Sequence, residues 1–313
     1  MMRSKAGVLI FLLCVTVVCV FWRRDISSYF PPEDERPCAC DRCLSEDEPF
    51  MQHICKFAEP FLSVNHNLSE DNFNWWKSLQ VRGQTFSTYK ETVKRIFSMF
   101  PTSAEVEASR PDRCRTCAVV GNSVNLKKSH YGPLIDFQDI VIRINQARTK
   151  GFEADVGTRT THHVMYPESA VDLDNTTRLV LFPFKILDLQ WLTQALSTGF
   201  SGRRSYSPIK SKIKANKDLV MVLNPAFMRY VHEVWLRKKG HYPSTGFMAL
   251  VLALHICDEV HVFGYGADSD GNWSHYWEEL KNKRLRTGGH PGDVEYAMIQ
   301  ELDQHQTLTF YRR

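Results

Sequence analysis

The chain has 313 residues, of which 43% are hydrophobic and 24% charged, and its formal net charge is +4. This is enough chain for one sizeable buried core, and no internal repeat or long low-complexity stretch interrupts it. So slight a charge is compatible with a small anionic ligand, but it does not indicate nucleic-acid binding.

The N-terminal segment has the pattern of a membrane anchor. Residues 7–22 are uncharged and lie between the basic residues Arg3 and Lys5 on one side and Arg23 and Arg24 on the other. A run this short also suits a cleaved signal peptide. However, no small-x-small cleavage site follows it, and short spans suit the thinner membranes of the early secretory pathway. We predict a cytoplasmic tail (1–6), a transmembrane signal-anchor (7–22), a stem (23–37) and a lumenal domain (38–313).

The basic residues on both sides of the anchor leave its orientation open, and the cysteines decide it. Cys14 and Cys19 lie within the anchor, which leaves seven: Cys38, Cys40, Cys43, Cys55, Cys114, Cys117 and Cys257. Their C-x-C-x-x-C and C-x-x-C spacings also suit a zinc site, but a secretory chain favours disulfides. Three Asn-x-Ser/Thr sequons indicate the same compartment: Asn67, Asn175 and Asn272. We expect glycans at Asn67 and Asn175.

Two peripheral helices are predicted between Asp71 and Phe100, from apolar residues at helical spacing. After Cys117, short apolar runs alternate with helical periods. The predicted strands are Ala118–Val120, Asp139–Asn145, Arg178–Phe184, Leu219–Leu223 and Glu259–Phe263. The predicted helices are Leu189–Leu196, Ala226–Arg237, Gly246–Cys257 and Val294–Gln304. This alternation indicates an α/β domain with a mainly parallel central sheet flanked by helices.

In such sheets ligands bind at the carboxyl ends of the strands. The residues just past predicted strands are Gly121–Ser123, Asn145 and Gly264–Gly266. We therefore expect the functional site to form around these three segments.

Four stretches carry a more specific signal through their order and spacing. They are Cys117–His163, His241–Gly266, His275–Glu278 (HYWE) and the His290-x4-Glu295 pair. Together they resemble the large, small, third and very-small motifs of the animal sialyltransferases. The resemblance covers nearly all of the chain from Cys38 onward. It implies a Rossmann-like variant of the GT-A-like glycosyltransferase fold, preceded by one N-terminal transmembrane helix.

Finer details narrow this resemblance. The CAC-DRC cluster, Trp75–Gln80 and the YPSTG after His241 are most similar to α2,3-sialyltransferases that act on galactose β1,3-linked to N-acetylgalactosamine. The resemblance implies CMP-sialic acid as the donor and galactose-terminated glycoprotein or glycolipid glycans as acceptors. It also implies a single-pass type II protein of the Golgi membrane.

The resemblance further assigns donor-binding residues: Asn122, Asn145, Tyr206, Tyr242, Gly246, Gly266 and His275. Of these, Tyr206, Tyr242 and His275 are expected to contact the phosphate. The N-terminus of the predicted helix after Ser244 offers free N–H groups to the same anion. Without the resemblance, the glycines would indicate only turns, and Tyr206 an exposed loop aromatic.

His290 is the predicted catalytic base, and His275 the second catalytic residue. The galactose 3-hydroxyl must lose its proton as it attacks the anomeric carbon, and histidine titrates in the range suited to this. Glu295, one turn into the last helix, is expected to orient His290. Outside this motif a histidine after two glycines would most simply be exposed. The resemblance implies a single inverting displacement and assigns Gln80 and His290 to the acceptor.

Two D-x-D triplets, Asp172–Asp174 and Asp268–Asp270, match the metal–nucleotide motif of many glycosyltransferases. Such triplets arise easily by chance, and the expected donor carries one phosphate rather than a diphosphate to chelate. We interpret the first as surface loop and expect Asp268 to support the loop after Gly266. We therefore predict no metal and no other cofactor.

The resemblance implies three disulfides: Cys38–Cys43, Cys40–Cys114 and Cys117–Cys257. Cys55 is left over, either as a buried thiol or as a bridge in a homodimer. Other acceptors remain open, including β1,4-linked galactose, glycolipid galactose and N-acetylgalactosamine. A non-catalytic lectin that keeps this fold is a further alternative, although a binder has no use for the base at His290.

Overall fold

The computed structural model describes residues 36–46, 59–65, 67–80, 84–100, 109–202, 207–279 and 287–312. Within these ranges, no helix is both long and apolar enough to cross a bilayer. The predicted tail and anchor, and most of the predicted stem, lie outside the described residues. The same is true of Cys55 and Tyr206.

One sheet of seven strands forms the centre of the described structure, and each neighbouring pair of strands is parallel. The strands are β1 (Thr116–Val120), β2 (Ile140–Ile144), β3 (His162–Met165), β4 (Arg178–Leu181), β5 (Val220–Val222), β6 (Glu259–Phe263) and β7 (Thr309–Tyr311). Their order across the sheet is β5-β4-β3-β2-β1-β6-β7. The direction of winding thus reverses between β1 and β6, which is where sheets of this kind bind ligands.

Eight α-helices flank the sheet in the described ranges. They are α1 (Glu70–Ser78), α2 (Phe86–Met99), α3 (Gly132–Phe137), α4 (Glu153–Val156), α5 (Ile186–Ala195), α6 (Pro225–Tyr230), α7 (Thr245–Ile256) and α8 (Gly292–Gln304). A π-helical turn, Val231–Trp235, continues α6. Side-chain caps start several of them: the Oγ of Ser69 accepts from the N–H of Asn72, and that of Ser244 accepts from the N–H of Phe247.

Alternation along the strands gives the sheet two apolar faces. On β1, Cys117 and Val119 point into the larger core, whereas Ala118 and Val120 point into a smaller one. Helix α7 packs across β1, β2, β3 and β6 on the larger side, and ten of its 12 residues are buried. A helix that is apolar all round needs such a central position, because every face must be covered.

The predicted α/β domain with a mainly parallel sheet is confirmed. The five predicted strands correspond to β1, β2, β4, β5 and β6, although the predictions for β2, β4 and β5 extend past the observed ends. Strands β3 and β7 were missed. Strand β3 begins with two histidines, so its sequence lacks the apolar run that predicts a strand. Strand β7 has only three residues, too few to show a pattern.

The described chain contains the disulfides Cys38–Cys43, Cys40–Cys114 and Cys117–Cys257, the three pairs that the resemblance implies. The last joins the first residues of β1 to the end of α7 and closes a loop of 140 residues. Closing so long a loop is worth about 4–5 kcal/mol in the chain-entropy model. Because these cysteines are paired with one another, they are not free to form the zinc site that their spacing also allowed.

Candidate active site

A cleft opens at the carboxyl ends of the strands where the sheet reverses direction. Its wall contains the segments after β1, β2 and β6 together with the start of α7, the loop around His275 and one face of α8. The lining residues include Asn122, Asn145, Gly246, Gly266, His275 and Glu295. Five residues predicted to bind the donor, from four distant parts of the sequence, therefore line one cleft.

Glycine is required where β1 and β6 end, because the two backbones approach closely there. A Cβ on Gly121 would lie 2.3 Å from the carbonyl oxygen of Gly264. Gly266 has a φ of +92°, and a Cβ there would lie 2.5 Å from the ring of Tyr296 on α8. Gly121 and Gly266 therefore allow both the tight turns and the open cleft, because any side chain at these two positions would fill or distort the cleft.

Asn122 presents a hydrogen-bond acceptor to the cleft. Its side-chain amide N–H donates to the carbonyl oxygen of Ile144, at 2.8 Å, which fixes the orientation of the amide. The Oδ1 atom is buried and has no hydrogen-bond partner among the residues that the structure describes. A buried acceptor without a partner is costly unless a ligand or water supplies a donor.

Asn145 is held in an unusual backbone conformation, with a φ of +61°. Its carbonyl oxygen lies 2.5 Å from Nε2 of His163, and its Oδ1 lies 2.9 Å from the hydroxyl of Ser169. Burial lowers the pKa of His163 to about 4, so the neutral ring donates through Nε2. Asparagine tolerates this left-handed conformation better than most residues. Nothing in the sequence indicated the support from His163 and Ser169, although His163 ends the first motif.

Glu295 does not play the role expected from the sequence. It was expected to orient His290, but its Oε1 instead accepts the backbone N–H of Ser244, at 2.7 Å, just before α7 begins. Burial raises the pKa of Glu295, and the hydrogen bonds from Ser244 oppose that rise. Because Glu295 is the fourth residue of α8, this contact joins the starts of two helices. The carboxylate thus fixes the N-terminus of α7 at the cleft.

His275 is oriented by two neighbours in its own motif. Its ring stacks on Trp277, with centroids 4.7 Å apart, and its Nδ1 lies 2.9 Å from Oε1 of Glu278. Burial alone would raise the pKa of Glu278, but the hydrogen bonds from His275 lower it overall. The neighbouring Tyr276 is buried and donates its hydroxyl to the carbonyl oxygen of Arg148. Because the Glu278 carboxylate faces Nδ1, Nε2 is the nitrogen that we expect to meet a ligand.

His290 lies beside the cleft, two residues before Gly292 of its lining, and it packs against Tyr242. The two ring centroids are 5.0 Å apart at an interplanar angle of 84°. Tyr242 in turn contacts Phe184, at 5.7 Å and 62°. Burial lowers the pKa of His290, and the Tyr242 backbone opposes this. The ring is therefore neutral near pH 7 and able to accept a proton.

Gln80 lies on a different element from the cleft lining. Its amide nitrogen donates to the carbonyl oxygen of Trp76, and its Oε1 accepts the backbone N–H of Ile186 at the start of α5, both at 3.2 Å. It is therefore connected to the segment that carries Phe184, which leads through Tyr242 to His290. Tyr206, assigned by resemblance to the donor phosphate, lies outside the described residues.

The two D-x-D triplets are occupied by local hydrogen bonds. Asp174 accepts the backbone N–H groups of Thr176 and Thr177, and Asp172 accepts that of Lys214. Asp268 accepts the backbone N–H groups of Asp270 and Asn272 within the loop after Gly266. The geometry matches the expected structural roles, in which the carboxylates stabilise their own loops.

The three sequons differ in exposure. Asn67 and Asn175 are exposed, whereas Asn272 is only 2% exposed. The side-chain nitrogen of Asn272, to which a glycan would be attached, donates to the carboxylate of Asp268 at 3.1 Å. The next two residues, Trp273 and Ser274, line the cleft.

Comparison with known proteins gives concordant results over almost the whole described domain. The model of glycosyltransferase family 29 (sialyltransferase) matches residues 61–307. CMP-N-acetylneuraminate-beta-galactosamide-alpha-2,3-sialyltransferase 1 of Mus musculus is 46% identical over 274 residues, covering 85% of this chain and 81% of that protein. Sialyltransferase 2 of the same series, also from Mus musculus, is 44% identical over 283 residues, covering 88% and 80%.

A solved structure is similar as well. The crystal structure of a mammalian sialyltransferase in complex with Gal-beta-1-3GalNAc-ortho-nitrophenol superposes with a TM-score of 0.79 at 40% identity. The match covers 88% of this chain and 99% of that one.

Proposed function

Because the chain belongs to glycosyltransferase family 29, the sialyltransferases, we propose that it transfers sialic acid to the 3-hydroxyl of the terminal galactose in Galβ1,3GalNAc glycans. Sialyltransferase activity follows from this membership, and α2,3 transfer from CMP-sialic acid to β-galactosides is supported by the 46% and 44% identity to the two mouse relatives. The observation that carries the finer proposal is a partly buried, neutral imidazole, His290, at the edge of the cleft that gathers the predicted donor-binding residues.

The cleft supplies the donor contacts. Asn122 offers a buried acceptor that has no partner within the described part of the chain. Asn145 offers an amide that is oriented by its contacts with His163 and Ser169. Gly246 and Gly266 allow the backbone to approach the nucleotide, because neither has a side chain. We assign CMP to this wall, with its phosphate near the N-terminus of α7, where free N–H groups favour an anion.

His275 and Tyr242 are assigned to the phosphate. The negative charge on CMP grows as the bond to sialic acid breaks, so donors placed near the phosphate stabilise the transition state. Glu278 and Trp277 fix the His275 ring in advance, which avoids a reorganisation cost at that moment. Since the leaving group is already a stable monophosphate, the reaction needs no metal, and we propose that none takes part.

His290 is assigned as the general base. Its neutral ring takes the proton from the galactose 3-hydroxyl while that oxygen forms a bond to the anomeric carbon of sialic acid. The bond from the same carbon to the phosphate oxygen breaks on the opposite face, and CMP leaves with the electron pair. One displacement of this kind inverts the anomeric configuration. Gln80, whose amide nitrogen carries a second N–H, is assigned to the acceptor.

The acceptor assignment is supported by the similar crystal structure, which holds Gal-beta-1-3GalNAc-ortho-nitrophenol. We further propose a single-pass type II protein of the Golgi membrane, with residues 7–22 as the anchor. Three disulfides and two exposed sequons are consistent with a lumenal domain.

The experiment is a transfer assay with labelled CMP-sialic acid and the detergent-solubilised full chain. The acceptors are Galβ1,3GalNAc, its β1,4-linked counterpart Galβ1,4GlcNAc, and free GalNAc. We expect the highest kcat/KM with Galβ1,3GalNAc and an α2,3 linkage in the product. Preference for the β1,4-linked disaccharide or for GalNAc would refute the acceptor assignment, and binding without transfer would indicate the lectin.

A further inference from the structure

A buried ionic cluster lies where β3 and β4 end, on the side of the sheet away from β6. Nζ of Lys185 is 2.9 Å from Oε1 of Glu168 and 2.9 Å from Oδ1 of Asp188. The lysine side chain is 30% exposed, but the two carboxylate side chains are only 1% and 0% exposed. Two buried carboxylates around one cation carry a large desolvation cost, so this arrangement needs a reason other than stability.

Asp188 also fixes the backbone of the turn that precedes α5. Its Oδ2 accepts the N–H of Phe184, at 2.8 Å, and the N–H of Lys185, at 3.1 Å. Burial raises the pKa of Asp188 to about 6, even though Lys185 acts in the opposite direction. An exposed serine or aspartate would cap this helix at a much lower desolvation cost. The buried carboxylate instead holds Phe184 in one place.

Phe184 is the second of four rings in an aromatic row that leads to the proposed base. It meets Tyr166 edge to face, with centroids 5.5 Å apart, and Tyr242 at 5.7 Å. Tyr242 contacts His290 at 5.0 Å. The aromatic row, defined as Tyr166, Phe184, Tyr242 and His290, therefore connects the ionic cluster to the imidazole.

We propose that Asp188 is a positioning residue for the acceptor: by holding Phe184, it sets Tyr242 and His290 at the place where the galactose must bind. Gln80 accepts the N–H of Ile186 in the same turn, which connects a second proposed acceptor contact to this segment. The inference rests on the proposed roles of His290 and Gln80. The other proposed donor contacts in the cleft, Asn122, Asn145, Gly246, Gly266 and His275, lie outside the aromatic row, whereas Tyr242 is shared between the acceptor side and the donor phosphate.

The test is Asp188→Ala in the full chain, with kinetics in acceptor and donor measured separately. We expect the acceptor kcat/KM to fall about tenfold or more, because small displacements of a reacting group are costly. CMP affinity should fall clearly less, because the aromatic row contains one of the proposed donor contacts, Tyr242, and the others lie elsewhere in the cleft. A role limited to capping α5 would lower the melting temperature without this split. Equal losses of acceptor kcat/KM and of CMP affinity would overturn the proposal. If Asp188→Ala is not recovered folded, Asp188→Asn, which keeps one acceptor oxygen, provides the same comparison.

Asp136→Ala is the matched control. The Asp136 carboxylate likewise accepts two backbone N–H groups, those of Thr158 and Arg159, but it lies in α3 near the amino ends of β2 and β3, at the opposite end of these strands from the cleft. The Asp136→Ala substitution should lower stability and leave acceptor kcat/KM and CMP affinity unchanged.

A double-mutant cycle tests the route through Phe184. Phe184→Leu alone should impair the acceptor step, and combining it with Asp188→Ala should add little, because both changes act on the same ring. Additive losses would mean that Asp188 acts by another route. The cycle can use any accepted β-galactoside, so a failure of the Galβ1,3GalNAc assignment would be seen separately.

Discussion

The imidazole of His290 packs edge to face against the phenol ring of Tyr242, with centroids 5.0 Å apart and ring planes at 84°. Tyr242 precedes α7 and His290 precedes α8, and the Ser244–Glu295 hydrogen bond joins the starts of these two helices. Tyr242, the proposed phosphate contact, and His290, the proposed base, are thus held in one relative position by their ring contact and by this hydrogen bond.

The first prediction concerns metal ions. If Tyr242, His275 and the N-terminus of α7 support departure of CMP, excess EDTA should leave the transfer rate within about twofold of the untreated enzyme, since no Lewis acid is then needed. Rates should be measured with and without EDTA at saturating donor and acceptor. A loss of activity that manganese restores would mean that one of the D-x-D triplets binds a metal.

The second prediction concerns glycosylation. Asn67 and Asn175 are exposed and should carry glycans, whereas Asn272 should be unoccupied because its side-chain nitrogen is buried against Asp268. Site-resolved mass spectrometry of the active, secretory-pathway protein measures this. Full occupancy at Asn272 would contradict the placement of this loop at the cleft.

The third prediction concerns His275. His275→Ala should weaken CMP binding about tenfold or more and lower kcat as well, because a hydrogen bond to a charged group is worth about 1.5–3 kcal/mol. Glu278→Gln keeps the ring but weakens its support, and should give a smaller change in both quantities. An unchanged CMP affinity in His275→Ala would show that this residue does not contact the phosphate.

The fourth prediction concerns pH. Burial lowers the pKa of His290 below the ordinary value of about 6.5, so the ring stays neutral into mildly acidic solution. With limiting acceptor, the acid limb of kcat/KM should therefore be centred below about pH 6.5, because protonation of His290 removes the base. An acid limb centred above about pH 6.5 would contradict a buried imidazole base.

The sequence predicted the sheet and most of the cleft because both depend on local patterns. Apolar runs mark five strands, and the residues past them carry the donor wall. The contacts that hold the donor-binding residues in place could not be predicted from the sequence. His163 contacts Asn145, 18 residues away in the sequence, and Glu295 contacts Ser244, 51 residues away. Such contacts depend on how helices dock onto the sheet. Glu295 is one helical turn from His290, which suggested a contact between them, but the docking of α8 places its carboxylate at α7 instead.

The ionic cluster around Asp188 illustrates the same limit. In the sequence, Lys185 and Asp188 look like ordinary charges at the start of a helix, where solvent exposure is usual. Their burial arises because β3 and β4 end side by side and bring Glu168 against them. Neither segment alone shows this.

The most direct test of the account is His290→Ala, assayed for turnover at saturating acceptor and, separately, for CMP affinity. We predict that turnover falls about 10²–10⁴-fold, the usual contribution of a general base, while CMP affinity changes little because Asn122, Asn145, Gly246 and Gly266 hold the nucleotide. A variant that keeps more than about a tenth of the wild-type turnover would contradict the base assignment. A parallel loss of turnover, CMP affinity and thermal stability would show instead that His290 only packs the start of α8.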